Sequence, residues 1–365
     1  MKPLKIVIIS FTMYPELNAR SFRATELAKE LACKGHNVIL YAVLGNYDYS
    51  EFTAETGVCV KNLNISKKES NNITIGVKSL TLTRKFFWYF FEYPFIKLIP
   101  MVAKVIRKEE NIDYLITIAF PHHLHWGASF SRLSNIKCWT ADCGDPYMKN
   151  PGLKPPFYFK WMEKRWCKKA DYITIPTEIA KSGYYRKYHN KIHVIPQGFN
   201  FSDVIISDYK KNDVPTFAFA GNCLKKIREV SDFLEYLCSL KENFKFVIYT
   251  KTRAFFEPYI ERLGNKMELN SYIPRNLLLK RLSEMDFLIN IKNISEVQIP
   301  SKLIDYYFAK RPILEISSSF IEKHYFNEFL HYDFTHKLKE QDMSQYDISN
   351  VADNFLNLYH SKINA

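Results

Sequence analysis

The feature that most restricts the fold is an alternation of short apolar strands with amphipathic helices, run twice along the chain. Strands separated by helices need right-handed crossovers, and these build a parallel sheet with helices on its faces. In the first stretch strands are predicted at 5–11, 37–43, 73–80, 113–119, 137–141, 171–176 and 191–195. A helix near 22–34 places Leu27, Ala28 and Leu31 on one face and closes at Gly35. Residues 44–72 are polar and turn-rich and read as irregular. The pattern breaks over 200–214, a polar stretch with the character of a linker. It resumes with strands at 216–220, 244–250, 267–273, 287–291 and 312–316, helices near 229–240, 254–263, 275–285 and from 301, and a last helix at 348–361. The expected fold class is α/β: two Rossmann-like, doubly wound parallel-sheet domains facing each other across a cleft. The expected division is a first domain at 1–200, a linker at 201–214 and a second domain at 215–345. A C-terminal helix within 346–365 can pack back on the first domain. Ligands of such sheets bind beyond the carboxyl ends of the strands. The loops after Phe11, Ala119, Ala141, Gly221, Ile273 and Ile291 therefore matter most.

Composition narrows the function. Lys and Arg number 51 against 38 Asp and Glu, a net charge of +13. Nucleic acid, an anionic membrane and a phosphorylated substrate are the partners such a charge suits, beside a merely solvated basic surface. No RRM, KH or zinc-finger signature supports nucleic acid. No charge-free apolar run is long enough to span a membrane. The run Ile6-Val7-Ile8-Ile9 is too short for a secretory signal. The 7 cysteines are odd in number, widely spaced and free of any CxxC, which points to free thiols in a reducing cytoplasm and away from zinc. Aromatics reach 16%. They peak in Phe86-Phe87-Trp88-Tyr89-Phe90-Phe91, within a segment, 84–108, that begins at Arg84-Lys85 and ends at Arg107-Lys108. Aromatics between cations suit an anionic membrane interface, while a core helix with an aromatic face is the competing reading.

Four constellations could carry chemistry. From Glu296 to Pro312 a polar loop runs through Pro300 and Ser301 into a helix, whose free N–H groups favour a phosphate. Lys302 adds a cation there, and Asp305, one turn on, could accept from ribose hydroxyls or simply face water. In Phe219–Arg228 a strand ends at Gly221-Asn222, and Lys225, Lys226 and Arg228 follow as cations for a diphosphate, or as a solvated basic loop. Phe120-Pro121-His122-His123-Leu124-His125 sets three histidines after a strand, without an HExxH or Cys pattern, so no metal is expected. Asp142-Cys143-Gly144-Asp145-Pro146 could orient an acceptor hydroxyl or serve as turn chemistry.

The Glu296–Pro312 segment resembles the carboxylate-rich motif of retaining glycosyltransferases of the two-domain GT-B fold, especially the large family 4 of bacterial envelope polysaccharide synthesis. The resemblance implies that Glu296 lies by the donor sugar and that Asp305, ahead of Arg311-Pro312, binds the ribose. Gln298–Lys302 replaces the usual Gly-Phe-Gly, and the spacing from Glu296 to Asp305 is one residue longer than usual. Phe219–Arg228 is similar to the family's diphosphate loop, with Asn222 at its Arg position and Arg228 with Lys225 or Lys226 supplying charge. His122 or His123 would reach the donor sugar, with Asp142 and Asp145 on the acceptor side. Lys191–Phe199 resembles the exit from the first domain. Asn18-Ala19-Arg20-Ser21 stands where a Gly-Gly is usual, with Arg20 or Arg23 adding charge.

The resemblance thus implies catalytic residues Glu296, His122 and Asp145. Donor binding would fall to Gly221, Asn222, Lys226, Arg228, Ser301, Lys302 and Asp305, and the acceptor side to His123, Asp142 and Arg20. It implies retention, no metal and no cofactor, the nucleotide-sugar being a substrate. The partners would be that donor, a lipid-linked or glycan acceptor of surface polysaccharide, and an anionic membrane met through 84–108. No nucleic acid is expected, and the location would be cytoplasmic, peripheral on the inner face of the plasma membrane. Two readings compete: a nucleotide-sugar epimerase of GT-B-like fold and a non-enzymatic basic binding protein.

Overall fold

The computed structural model describes residues 2–63, 82–150, 155–201, 205–223, 229–292, 301–339 and 342–365. The chain divides into two compact units, one of Met1–Asn200 with Ser344–Ala365, the other of Phe201–Met343.

The first unit opens with β1 (Lys5–Ile9), α1 (Ala19–Cys33), β2 (Asn37–Ala42), α2 (Ser50–Thr56) and β3 (Cys59–Asn62). Then come α3 (Leu82–Phe91), α4 (Leu98–Lys108), β4 (Ile112–Ile118), α5 (His123–Phe130) and β5 (Ile136–Asp142). They are followed by α6 (Phe159–Lys169), β6 (Tyr172–Ile175) and β7 (Ile192–Val194). The sheet has seven strands, ordered β3-β2-β1-β4-β5-β6-β7. β1 is parallel to both neighbours, with Ile6 opposite Val38 on one side and Tyr114 on the other. Its Ile6, Val7, Ile8 and Ile9 are all buried, as a strand covered on both faces requires.

The stretch expected to be irregular, 44–72, contains α2 and β3 in its described part. α2 buries only Phe52, so it shows no apolar period; Gly57, at φ +70°, ends it in the left-handed region. The strand expected at 73–80 lies outside the described residues.

The second unit runs β8 (Thr216–Ala220), α7 (Ser231–Ser239), β9 (Lys245–Tyr249), α8 (Ile260–Leu263), β10 (Met267–Asn270) and α9 (Arg275–Ser283). β11 (Phe287–Ile291), α10 (Ser301–Phe308), β12 (Ile313–Ile316) and α11 (Lys323–Leu330) complete it. Its sheet has five strands, ordered β10-β9-β8-β11-β12, again parallel. β8 alternates sharply. Phe217 and Phe219 enter an aromatic core with Phe233, Phe246 and Phe287, while Ala218 and Ala220 face Leu303 and Tyr306 of α10. The helix expected at 254–263 is reduced to α8 behind short 3-10 turns, one of which holds Pro258. The described part of the polar stretch 201–214 is tied to the second unit. The Tyr209 hydroxyl donates to Asp286 Oδ1 at 2.7 Å, and Ser207 N donates to Ser283 Oγ at 2.9 Å.

The last helix, α12 (Ile348–Ile363), belongs to the first unit. Asp347 caps it through Ser349 N at 3.0 Å. Val351, Ala352 and Phe355 are fully buried in the same core as Leu27, Ala28 and Leu31 of α1. Burial of Val351, Phe355, Leu27 and Leu31 contributes about 1.5–3 kcal/mol each.

Candidate functional site

In the second unit, the carboxyl end of β8 and the start of α10 are fixed to each other by Tyr306. Its buried hydroxyl accepts from Ala220 N at 2.7 Å and donates to Ile289 O at 3.1 Å. The alanines of β8 make room for that ring. Gly221 follows at φ +147°, a backbone state side chains resist, and its N–H is held by Tyr249 O at 2.8 Å. Asn222 Oδ1 accepts from Lys251 N at 3.0 Å, which orients the loop. Ser301 and Lys302 form the first turn of α10, and their side chains lie outside what is described. Lys226 and Arg228, with Lys225, and Glu296 lie outside the described residues altogether.

Asp305 does not simply face water. Arg275, at the start of α9, donates from Nε to its Oδ1 at 2.7 Å and forms an ion pair with it, Nη2 lying 2.7 Å from the same oxygen. Burial raises the Asp305 carboxyl above its ordinary value, against the opposing pull of Arg275. Oδ2 makes no hydrogen bond among the described residues, so an acceptor atom remains for a ligand hydroxyl. Arg275 escaped sequence reasoning because nothing in the local pattern pairs two residues so far apart. Arg311 lies against the Tyr209 ring, 3.3 Å from its centroid, and bonds Asp286 O at 3.4 Å.

In the first unit, Asn18 caps α1 by accepting from Arg20 N at 3.1 Å and Ser21 N at 2.9 Å. α1 then carries two arginines to Asp142, at the end of β5. Arg23 Nη2 meets Oδ1 at 2.9 Å and Arg23 Nε meets Oδ2 at 3.2 Å; Arg20 Nη1 meets Oδ2 at 3.2 Å. Thr174 Oγ1 adds a bond to Oδ1 at 2.7 Å. Asp142 is buried, so it offers no open face to an acceptor: its work is to hold Arg20, which keeps some exposure. Burial pulls the Asp142 carboxyl up, but Arg23 and Arg20 outweigh it and hold it below its ordinary value. Asp145, by contrast, is exposed.

The three histidines are buried, His122 in the turn that opens α5 and His123 and His125 within the helix. His122 and His125 pack against Trp166, while His123 lies 4.1 Å from the Trp126 ring and 3.4 Å from Glu92 Oε2. Burial pushes His122 down to about 4, with a bond to the Asp145 backbone pulling the other way. It also pushes His123 and His125 well down, so all three are neutral near pH 7. His122 O also accepts from Trp126 N at 3.1 Å. Among the described residues one group could hold a metal ion: His122, His125 and Cys143, with ligating atoms within 4.8 Å of one another. Burial keeps the Cys143 thiol protonated, and His125 Nδ1 is engaged by Thr117 Oγ1 at 2.8 Å.

The aromatic segment divides. In α4, Leu98, Val102, Ala103 and Ile106 face the core, so the second half of 84–108 is structural. In α3, Phe86 through Phe91 are each 39–53% exposed. Beside them stands a group the sequence reading missed: Phe157 (84% exposed), Tyr158 and Trp161 (58%). The Tyr158 hydroxyl donates to Phe90 O, joining the two groups. Arg165 lies 4.2 Å from the Phe130 ring centroid, beside Trp161. No helix among the described residues is long and apolar enough to cross a membrane.

No family model matches the sequence, and no curated protein is similar to it in sequence. Solved structures are similar in fold. A glycosyltransferase from Rickettsia africae ESF-5 is 13% identical, with 100% of this chain and 99% of that one covered and a TM-score of 0.65. Anabaena Alr3699/HepE in complex with UDP is 9% identical over 98% and 100%, with a TM-score of 0.66. A candidate UDP-N-acetylglucosamine 2-epimerase from Listeria monocytogenes is 13% identical over 100% and 97%, with a TM-score of 0.53. The two parallel α/β units therefore have the fold of the GT-B glycosyltransferases.

Proposed function

We propose that the chain is a retaining, metal-independent glycosyltransferase of the family 4 kind. It would move a sugar from a nucleotide-sugar to a lipid-linked glycan acceptor in bacterial surface polysaccharide assembly, from the inner face of the plasma membrane. The observation that carries the reading is the Tyr306 tie, which sets a Gly-ended strand beside a helix start with a half-open carboxylate one turn on. Backbone N–H groups at the start of α10 and the cations Lys226, Arg228 and Lys302 would meet the diphosphate and stabilise it as leaving group. Asp305 Oδ2 would take a ribose hydroxyl while Arg275 favours the carboxylate's ionised form against the effect of burial. Glu296 would stand at the reacting centre. With its ring buried, His122 contributes through the backbone, and Asp145 with Arg20 would face the acceptor. The exposed aromatics of α3 and 157–161 would rest in the headgroup layer of an anionic membrane.

A thermal-shift series with UDP, GDP, dTDP and CMP tests the donor assignment, since a ligand of the native state raises the melting temperature. We expect a rise with one of the diphosphates, UDP being the first choice because Alr3699/HepE binds it. No rise with any of the four would remove the reading. The Listeria neighbour favours the epimerase alternative. Interconversion of free nucleotide-sugars without acceptor, followed by NMR, would establish that alternative; an axial-to-axial or equatorial-to-equatorial transfer product would establish retention.

A further inference from the structure

We propose that a cationic cavity of about 720 Å³ in the first unit binds a pyrophosphate-bearing acceptor. Its lining comes from α6 and from the segments that follow β5 and β6 in the chain. Lys149 enters it from the segment after β5, Lys164 from α6, and Ser182, Tyr185, Arg186 and Lys187 from the segment after β6. No carboxylate lines it among the described residues. Nor does any of its four Lys and Arg side chains form an ion pair among those residues, whereas nearby Lys181 is matched by Glu178 at 3.1 Å. The ammonium groups are placed by aromatic faces instead: Lys164 stands 5.3 Å from the Tyr185 ring centroid and Lys187 4.7 Å from that of Tyr188. Cation–π contacts fix a cation without cancelling its charge. Below the cavity, Glu163 is fully buried, and burial favours its neutral form.

Four cations around one cavity, with only the buried Glu163 acting on Lys149 among the described residues, favour the entry of an anion. The cavity is much larger than a single phosphate and falls within the size range of small-molecule sites, so it can take a pyrophosphate with an attached sugar. A lipid bearer fits the placement. Trp161, in the exposed aromatic group, precedes Lys164 by one helical turn on α6, and side chains so spaced are neighbours. A chain resting at the aromatic surface could present its headgroup phosphates to the cavity. The ligand's role as an acceptor and the identity of this bearer rest on the glycosyl-transfer reading; the anion site does not.

The test is calorimetry on the full chain, with UDP saturating the second unit, using inorganic pyrophosphate and farnesyl diphosphate as probes. The variant Lys149→Glu/Arg186→Glu is expected to weaken both probes at least tenfold and to leave UDP affinity and melting temperature unchanged. The control Lys210→Glu/Lys241→Glu, with the same change in net charge at exposed sites of the second unit, should shift affinity less than twofold. Wild-type affinity in the first variant overturns the proposal, as does an equal loss in the control. Tighter binding of farnesyl diphosphate than of pyrophosphate supports the lipid bearer; equal binding keeps the cavity for a soluble pyrophosphate. Pyrophosphate binding by a chain that takes no UDP would leave this site in place and remove the transferase reading.

Discussion

Asp142 organises the first unit's candidate site from below. Its carboxylate is buried against Arg23, Arg20 and Thr174, so removing one partner strands charge in the core. Arg23→Met is expected to cost about 3–5 kcal/mol of stability, read by urea denaturation. The sign with pH follows from the lowered carboxyl. Folding stabilises the ionised form, so the contribution is full above the unfolded value of about 3.9 and fades as pH falls through the lower folded one. The histidines act over a different window. His122 is held neutral, with a folded value of about 4 against 6.5 unfolded, so stability declines as pH falls from 6.5 toward 4 while the unfolded chain takes up the proton. His122→Gln should make the slope of urea midpoint against pH shallower over that window, and an unchanged slope would contradict the burial argument. In the second unit, Asp305→Asn should cut UDP affinity by about 1.5–3 kcal/mol, the worth of a hydrogen bond to a charged group, and should lower the melting temperature as well, because Arg275 loses its ion-pair partner.

At the scale of elements, α3 is the one whose packing departs most from expectation for so apolar a sequence. Phe87 and Phe91 are each about half exposed (51% and 46%), so polar replacements there remove little core. Phe87→Ser/Phe91→Ser is expected to fold normally and to bind anionic liposomes less well in a flotation assay; unfolding instead would place these rings in the core. Most strands and helices were legible because burial on both sheet faces writes itself as apolar runs, as in Ile6–Ile9 and Phe287–Ile291, whereas the edge strand β3 has no fully buried residue and was not. α2 was not, because a seven-residue helix with one buried side chain leaves no period. Around the candidate donor site, the local backbone features were legible, the strand end at Gly221 and the helix start at Ser301. The Arg275–Asp305 and Arg23–Asp142 pairs join residues 30 and 119 positions apart, and only tertiary packing brings them together. The burial of the three histidines is likewise a tertiary property, since the packing of α5 sets their rings against Trp126 and Trp166.

For the whole molecule, the decisive feature is that the first unit is made of two separated pieces of chain, with the second unit between them. A fragment ending at residue 200 lacks Val351, Ala352 and Phe355, which fill the core beside α1. It is expected to bind hydrophobic dye and to lose cooperative thermal unfolding, and fusing residues 344–365 to it through a short linker should restore both. A 201–343 fragment carries all five strands of its own sheet and should melt cooperatively and bind UDP by itself. The same interruption sets an order of events during synthesis. Domains usually complete themselves in the order they are made, but here the part that starts first has to wait. While the second unit is being translated, Leu27 and Leu31 have no Phe355 to close over them. The middle of the gene can reach its native state before the beginning does, and a nascent chain stalled near residue 340 would expose the unfinished first core, presenting a chaperone with sticky surface at its oldest end.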